Sequence, residues 1–271
     1  MHEELAIRLI FFSGIFVIVT LWELLAPRRK LTTSKKVRWI SNLTITFLNP
    51  LLARLLFPVL AMNMAIMARE RGWGLLNNFE LPHGLDIVIG IVVLDLAIYL
   101  QHVMFHAIPI FWRLHMMHHA DLDYDVTTGL RFHPLEIILS MGIKLSVVVV
   151  IGPPAAAVLI FEIILNGAAM FNHGNIFLPK SVDRMLRYVI VTPDMHRVHH
   201  SVIIRETNSN YGFNLPWWDR LFGTYCDQPA KGHDAMTIGL AQFRDPGKLT
   251  LPWLLVLPFI GKTGRQPINR H

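Results

Sequence analysis

The sequence predicts an all-α integral membrane protein with a histidine-rich helical cap. The 271 residues are 53% hydrophobic and only 16% charged, and the mean hydropathy is +0.42, so polar side chains are too few to cover a water-soluble globule. Apolar runs long enough to cross a bilayer alternate with shorter polar stretches. Histidines at helical spacing lie at the ends of these runs and beyond them.

The first apolar run covers residues 5–26 and is long enough for one crossing. It lacks the basic start and the small-residue cleavage site of a signal peptide, so we expect a retained anchor. Six basic residues follow it: Arg28, Arg29, Lys30, Lys35, Lys36 and Arg38. Basic residues beside an apolar run mark the cytoplasmic side. The net charge of +6 therefore indicates membrane topology and not nucleic-acid binding.

The next two runs predict a broken helix and a long helix. Residues 43–68 contain Pro50 and Pro58, so we expect a kinked helix or a broken pair. Residues 85–105 form the third run, and His102 and His106 lie at its end. If crossings alternate, that end is cytoplasmic.

The fourth run, residues 135–171, is too long for one crossing and is interrupted at Gly152, Pro153 and Pro154. Two helices joined by a tight turn explain it, which gives four or five passes in all. The hairpin would bring His133 and His173, at its two ends, to one metal centre. A last apolar piece, residues 249–260, is too short to span and is expected at the interface. No linker divides the chain, so residues 1–271 are expected to form one membrane domain.

Two copies of one five-residue pattern dominate the chemistry. They are His115-Met116-Met117-His118-His119 and His196-Arg197-Val198-His199-His200. Residues three and four apart share a helix face, so each copy can direct imidazoles at one point, as can His102 and His106. Cys226 is the only cysteine, which excludes an intrachain disulfide and a cysteine-based metal site.

Ten of the fourteen histidines are candidate ligands: His102, His106, His115, His118, His119, His133, His173, His196, His199 and His200. One metal ion uses three or four, so ten imply two ions with room for an exogenous ligand. Imidazole ligation suits Zn, Cu, Ni or Fe and does not choose among them. His2, His83, His233 and His271 are expected to have other roles.

Two alternative functions remain for such a cluster. A zincin-type protease is disfavoured because Met116 and Arg197 stand where the general-base Glu would follow the first His. A metal transporter is disfavoured because transporters hold their ligands near the bilayer midplane, whereas these histidines lie at helix ends.

The order and surroundings of the boxes resemble the membrane fatty acid hydroxylase and sterol desaturase superfamily over roughly residues 85–225. The matching residues include Asp95, Tyr99 and His102, Phe132-His133-Pro134, Asn172-His173, Asn210-Tyr211-Gly212 and the segment from Trp218 to Tyr225.

The resemblance implies a non-haem diiron oxygenase with the ten histidines as iron ligands under a cytoplasmic cap. It implies O2-dependent hydroxylation of an aliphatic C–H bond in a sterol, fatty acyl chain or related lipid, or desaturation at the same site. We find no cytochrome b5, dinucleotide-binding or iron–sulfur signature, so an external reductase, ferredoxin or cytochrome b5-like donor is expected to supply electrons.

Other polar residues carry weaker expectations. Asp95 lies on the stripe of His102 and is a candidate to hold a ligand's Nδ1 proton, with a helix–helix hydrogen bond as the alternative. Asp194 is expected to be a helix N-cap. Asp121, Asp123 and Asp125 lack the glycine and glutamate of a calcium loop and are expected in a solvated loop. Trp217, Trp218 and Phe222 could line an acyl channel or form an interfacial belt.

Overall fold

The computed structural model describes residues 2–82, 84–260 and 263–264, without the side chain of His2. This part of the chain is helical, with three isolated β-bridges as its only extended pairing. Its helices are α1 (His2–Leu25), α2 (Lys35–Leu56), α3 (Ala61–Glu70), α4 (Leu85–Ala107), α5 (Pro109–His119), α6 (Pro134–Ile151), α7 (Ala155–Asn172), α8 (Lys180–Leu186), α9 (Pro193–His199), α10 (Ile204–Thr207), α11 (Trp217–Leu221), α12 (Gly232–Ala235) and α13 (Leu251–Val256). The predicted all-α fold is confirmed.

Five segments among the described residues are long and apolar enough to cross a membrane. They are Glu3–Leu25, Lys35–Asn78, Leu85–Ala107, Pro134–Ile151 and Ala155–Asn172. The second contains both α2 and α3, so the broken pair predicted from the prolines is present: α2 tolerates Pro50 inside it and ends before Pro58. The protein is an integral membrane protein.

The predicted hairpin at Gly152 is also confirmed. Its turn lies at the end of the bundle opposite the histidines. Gly152 has φ of +67° at the C-terminus of α6, a left-handed conformation that favours glycine. A Cβ on it would lie 2.7 Å from the carbonyl oxygen of Trp73 and 3.1 Å from Cα of Gly74. The turn between α6 and α7 therefore packs directly on the chain that follows α3.

The chain direction explains why all the boxes lie at one end. α1 and α7 pack side by side, and the chain after α1 pairs with the chain after α7 through an Arg28 N–H donated to the Asn175 carbonyl at 2.9 Å. The C-terminal ends of α1, α4 and α7 and the N-terminal ends of α2 and α6 thus meet at the same end. The short helices α5 and α8–α12 cover it.

The aspartate triplet corrects one expectation. Asp121, Asp123 and Asp125 are buried and not solvated. Arg38 of α2 donates to both carboxylate oxygens of Asp121 at 2.7 and 2.8 Å and to Asp125 at 2.6 Å, while the Thr32 and Thr33 backbone N–H groups bind Asp123. Burial alone would raise the pKa of Asp121, but the guanidinium groups of Arg38 and Arg131 lower it to about 2. The loop is buried because cationic partners from the basic segment compensate its charge.

Candidate metal centre

Nine of the ten predicted ligands meet in two buried groups. In each group the candidate ligand atoms lie within 4.8 Å of one another. The first group is His102, His106, His115, His119 and His199; the second is His118, His173, His196 and His200. Every one of these side chains is buried, with at most 4% of its surface exposed.

Each five-residue box divides between the two groups in the same way. Its first and last histidines point to one group, and the histidine three residues after the first points to the other: His118 separates from His115 and His119, and His199 separates from His196 and His200. This division follows from helical geometry, since consecutive residues are rotated by about 100° around the helix axis. Adjacent histidines such as His118 and His119 therefore face different directions, and one short helix contributes to both groups.

Backbone carbonyls fix the tautomer of three rings. The Nδ1 atoms of His102, His199 and His173 lie 2.8, 2.7 and 2.7 Å from the carbonyl oxygens of Tyr211, Ser209 and Ala169 respectively. A carbonyl oxygen only accepts a hydrogen bond, so each Nδ1 carries the proton. The Nε2 atom of each ring is left with a lone pair that is free to bind a metal ion.

The Nε2 atoms of different rings then face one another. His102 Nε2 lies 3.1 Å from His115 Nε2, and His173 Nε2 lies 3.1 Å from His118 Nε2 and 3.2 Å from His200 Nε2. His106 Nε2, His199 Nε2 and both ring nitrogens of His119 are buried without a hydrogen-bond partner among the described residues. Converging buried lone pairs repel unless a cation lies between them, so these donor sets fit bound metal ions.

The rings are also held in the neutral form that binds metals. Burial, followed by the neighbouring imidazoles, places the pKa values of His118, His119, His196, His199 and His200 well below the usual range. Burial likewise lowers the pKa of His173 to about 3. A metal ion entering either group would not have to displace protons from these rings.

Two carboxylates next to the first group hold its rings in position, one directly and one through the backbone. The sequence interpretation identified neither role. Glu136, one turn into α6, accepts the Nδ1 proton of His115 at 2.7 Å. Asp219 accepts from the backbone N–H groups of Tyr211 and Gly212, each at 2.8 Å, and so fixes the Tyr211 carbonyl that binds His102. The Asn210-Tyr211-Gly212 and Trp218-Asp219 motifs therefore lie together behind the candidate ligand His102.

His133 is the predicted ligand that the structure places elsewhere. Its Nδ1 accepts the backbone N–H of Leu135 at 3.2 Å as the N-cap of α6, and its Nε2 donates to the Leu255 carbonyl at 3.2 Å. Both ring nitrogens are therefore used, and the expectation that His133 and His173 meet at one centre is not met. Glu136, three residues further along the chain, reaches the cluster instead.

Asp95 forms the hydrogen bond between helices that was its alternative expectation, whereas Asp194 is not the N-cap of α9. Asp95 accepts hydrogen bonds from Trp218 Nε1, at 2.7 Å, and from Asn214. It therefore binds these residues and not an imidazole. The N-cap of α9 is Thr192, whose hydroxyl accepts from Met195 N, while Asp194 forms ion pairs with Arg197 and Arg28.

Four further histidines were not expected to bind metal. His233 lies outside both groups, with Nε2 3.7 Å from the Asp194 carboxylate. His83, His271 and the side chain of His2 lie outside the described residues.

A cavity of about 510 Å³ opens from the first group into the helical bundle. It lies between α1, α2, α4, α6 and α7, and its lining includes His102, His115 and Glu136 at one end. Apolar side chains such as Phe12, Ile98 and Phe213 form most of its wall. The group of five histidines is thus accessible from the membrane-embedded part of the protein.

The comparisons with known proteins agree with this geometry. The family model described as fatty acid hydroxylase matches residues 87–224. The chain is 29% identical over 149 residues to an ornithine lipid hydroxylase of Rhizobium tropici, covering 55% of this chain and 44% of that protein. It is 30% identical over 142 residues to the alkylglycerol monooxygenase of Xenopus tropicalis (51% and 30% covered) and 30% identical over 136 residues to that of Homo sapiens (48% and 28%). The chain spans less than half the length of these relatives, and no solved structure matches it.

Proposed function

The chain belongs to the fatty acid hydroxylase family, and on this premise we propose that it is a membrane-embedded, O2-dependent lipid hydroxylase with two iron ions. The observation that carries the proposal is the pair of buried histidine groups with converging ring nitrogens. The ornithine lipid hydroxylase and the alkylglycerol monooxygenases are named for lipid substrates, which supports a lipid substrate for this chain. The apolar cavity that ends at His102 and His115 supports entry of that substrate from the bilayer.

Each of the two histidine groups would bind its own iron ion. His102, His106, His115, His119 and His199 would hold one iron ion, and His118, His173, His196 and His200 the other. When bound, the two ions supply the activation of O2 that C–H hydroxylation requires. The chain itself orients the rings through the Tyr211, Ser209 and Ala169 carbonyls and excludes water by burying every ligand.

The stoichiometry of hydroxylation requires an external electron donor. One oxygen atom of O2 enters the lipid C–H bond and the other leaves as water, which takes up two electrons and two protons per turnover. We find no cytochrome b5, dinucleotide-binding or iron–sulfur signature in the sequence, so we propose that a reductase, ferredoxin or cytochrome b5-like protein supplies the electrons. We place the histidine groups on the cytoplasmic face, where such donors are found.

The test is lipid analysis of the purified protein in nanodiscs with ferrous iron, a chemical reductant and isotopically labelled O2. We expect a product that retains the label and two tightly bound iron ions per chain. His118→Ala and His199→Ala should lose one ion each and all product while inserting into membranes normally. His133→Asn, which keeps the helix cap outside both groups, is the matched control and should retain both ions.

Three outcomes separate the alternatives. An unlabelled alkene product would identify a desaturase that uses the same site. Rapid exchange of metal and flux into sealed vesicles without lipid oxidation would identify a transporter. Full activity of His118→Ala would contradict the ligand assignment.

A further inference from the structure

The cavity beside the first histidine group is not uniformly apolar. Three side chains of its lining, Asn49 of α2, Gln101 of α4 and Glu136 of α6, each have a buried oxygen without a hydrogen-bond partner among the described residues. The atoms are Asn49 Oδ1, Gln101 Oε1 and Glu136 Oε2. Burial of an acceptor without a donor is unfavourable, and such groups are rare in native proteins.

The second polar atom of each of these side chains forms a hydrogen bond, and this bond holds the side chain in place. Asn49 donates from Nδ2 to the Phe132 carbonyl at 2.9 Å, and a carbonyl only accepts, so the amide orientation is determined. Gln101 donates from Nε2 to Ser140 Oγ at 3.0 Å. Glu136 uses Oε1 for His115. Asn49 and Glu136 are therefore each fixed by one bond and present the remaining oxygen as an acceptor, and Gln101 does so in the orientation that donates to Ser140.

All three acceptors belong to the metal end of the cavity. Gln101 bonds to Ser140, one helical turn after Glu136 on α6, and Glu136 binds His115. Asn49 is held by Phe132, whose ring stacks on His118 with centroids 4.5 Å apart. A donor group that satisfied these oxygens would thus lie next to the histidine groups.

The far end of the cavity differs because its charged groups satisfy one another. Glu162 of α7 accepts from Lys144 and from Arg8, each at 2.7 Å. Lys144 follows Glu136 by eight residues on α6, a rise of about 12 Å. Among the described residues that line the cavity, the buried side-chain oxygens without a hydrogen-bond partner are therefore those of Asn49, Gln101 and Glu136.

We propose that this cavity binds an amphiphilic lipid through hydroxyl or amide N–H groups, each of which donates to one of the free oxygens of Asn49, Gln101 and Glu136 beside the histidine groups. The oxidised carbon then lies close to the polar group of the lipid and not deep in a hydrocarbon chain. The chain of the lipid occupies the apolar part between Phe12, Ile98 and Phe213. This inference rests on the proposed lipid hydroxylase function and specifies its substrate class.

The test compares two probes that differ in one donor. N-methyl palmitamide carries an amide N–H, and methyl palmitate has an oxygen in its place with the same chain and nearly the same shape. Native mass spectrometry of the detergent-solubilised, iron-loaded protein measures the affinity for each. We expect the amide to bind about tenfold more tightly, the factor that one hydrogen bond provides.

Variants assign the preference to the named oxygens. Asn49→Leu and Gln101→Met each remove an acceptor with little change in volume. The amide probe has one N–H, so the variant that removes its acceptor should reduce the ratio of the two affinities toward one. Thr44→Val is the matched control on the same helix: the Thr44 hydroxyl is satisfied by the Ile40 carbonyl at 2.7 Å outside the cavity, and the ratio should persist. Equal binding of both probes by the unmodified protein, or an unchanged ratio in both variants, would overturn the inference.

The binding readout separates this inference from the proposed function. A preference for the amide without any oxidised product would support the site and refute the hydroxylase. Oxidised product from the protein without a preference would support the hydroxylase and refute the donor site.

Discussion

Glu136 orients His115, one of the proposed metal ligands, and is the residue whose hydrogen-bonding role the structure defines most clearly. Its Oε1 accepts the Nδ1 proton of His115 at 2.7 Å in a buried environment. Carboxylate partners of this kind fix the ring and raise its basicity, and their loss weakens metal binding about 10- to 100-fold. We expect Glu136→Leu to lower iron affinity by that factor and Glu136→Gln, which keeps an acceptor, to lower it less.

Metal content after titration with a chelator measures this effect. Glu80→Gln, a change to an exposed glutamate, is the control and should leave the iron affinity unchanged. Equal iron affinity in Glu136→Leu and the unmodified protein would show that the pair is structural only.

For single residues, the sequence predicts the clustering of the histidines better than it predicts their hydrogen-bond partners. The two boxes and the pair of His102 and His106 are predicted from their spacing, because residues three and four apart lie near one another on a helix, but the division of each box between the two groups is not. Their Nδ1 acceptors are not predicted either, because every residue has a carbonyl and nothing in the sequence distinguishes those of Tyr211, Ser209 and Ala169. His133 fits the pattern as well as His173 does, but its ring is used for the cap of α6.

The turn between α6 and α7 depends on a glycine that the sequence does identify. Gly152 has φ of +67° and contacts Trp73 and Gly74 so closely that a Cβ would overlap them. Gly152→Ala therefore combines a left-handed conformation, which costs about 1–2 kcal/mol, with a steric clash. We expect a lower midpoint of thermal unfolding in detergent, measured by tryptophan fluorescence.

The matched change lies ten residues earlier in α6. A Cβ on Gly142 would meet nothing within 4 Å, and alanine is favoured over glycine in a helix by about 1 kcal/mol. Gly142→Ala should thus keep or raise the midpoint. A drop of similar size in both variants would contradict the role assigned to the turn.

Helix α2 is anchored by an ion pair that its basic sequence did not reveal. Arg38 is fully buried and bound to Asp121 and Asp125, so Arg38→Met would remove the cation that pairs with both carboxylates. Loss of one member of a buried ion pair costs about 3–5 kcal/mol, which we expect as a lower unfolding midpoint with normal membrane insertion. Lys36→Met, at an exposed position two residues earlier, should have little effect.

The elements themselves were largely predictable. Length and hydropathy predict the spans, and Pro58 and the Gly152-Pro153-Pro154 turn predict the breaks, because these residues interrupt helices for local reasons. The burial of the aspartate loop was not predictable, because it depends on Arg38, which is more than 80 residues away in the sequence. The basic segment after α1 therefore has a structural role in addition to any role in topology.

For the whole molecule, one native thiol can test which side of the membrane carries the histidine groups. Asn210 donates to the carbonyls of Met195 in α9 and of Cys226, so Cys226 belongs to the same extramembrane end as the second box. It is the only cysteine in the chain and is partly exposed. Three lysines near the start of α2, Lys30, Lys35 and Lys36, lie at that end too, and lysine there favours the cytoplasmic side.

We therefore expect a membrane-impermeant maleimide to label Cys226 only after cells are permeabilised. Burial raises the pKa of this thiol, which slows the reaction because the thiolate is the nucleophile, so labelling is compared at equal times in intact and permeabilised cells. Cys226→Ser gives the background signal. Equal labelling of intact cells would place the histidine groups outside, where cytoplasmic electron donors cannot reach them, and would require a donor on the other side of the membrane.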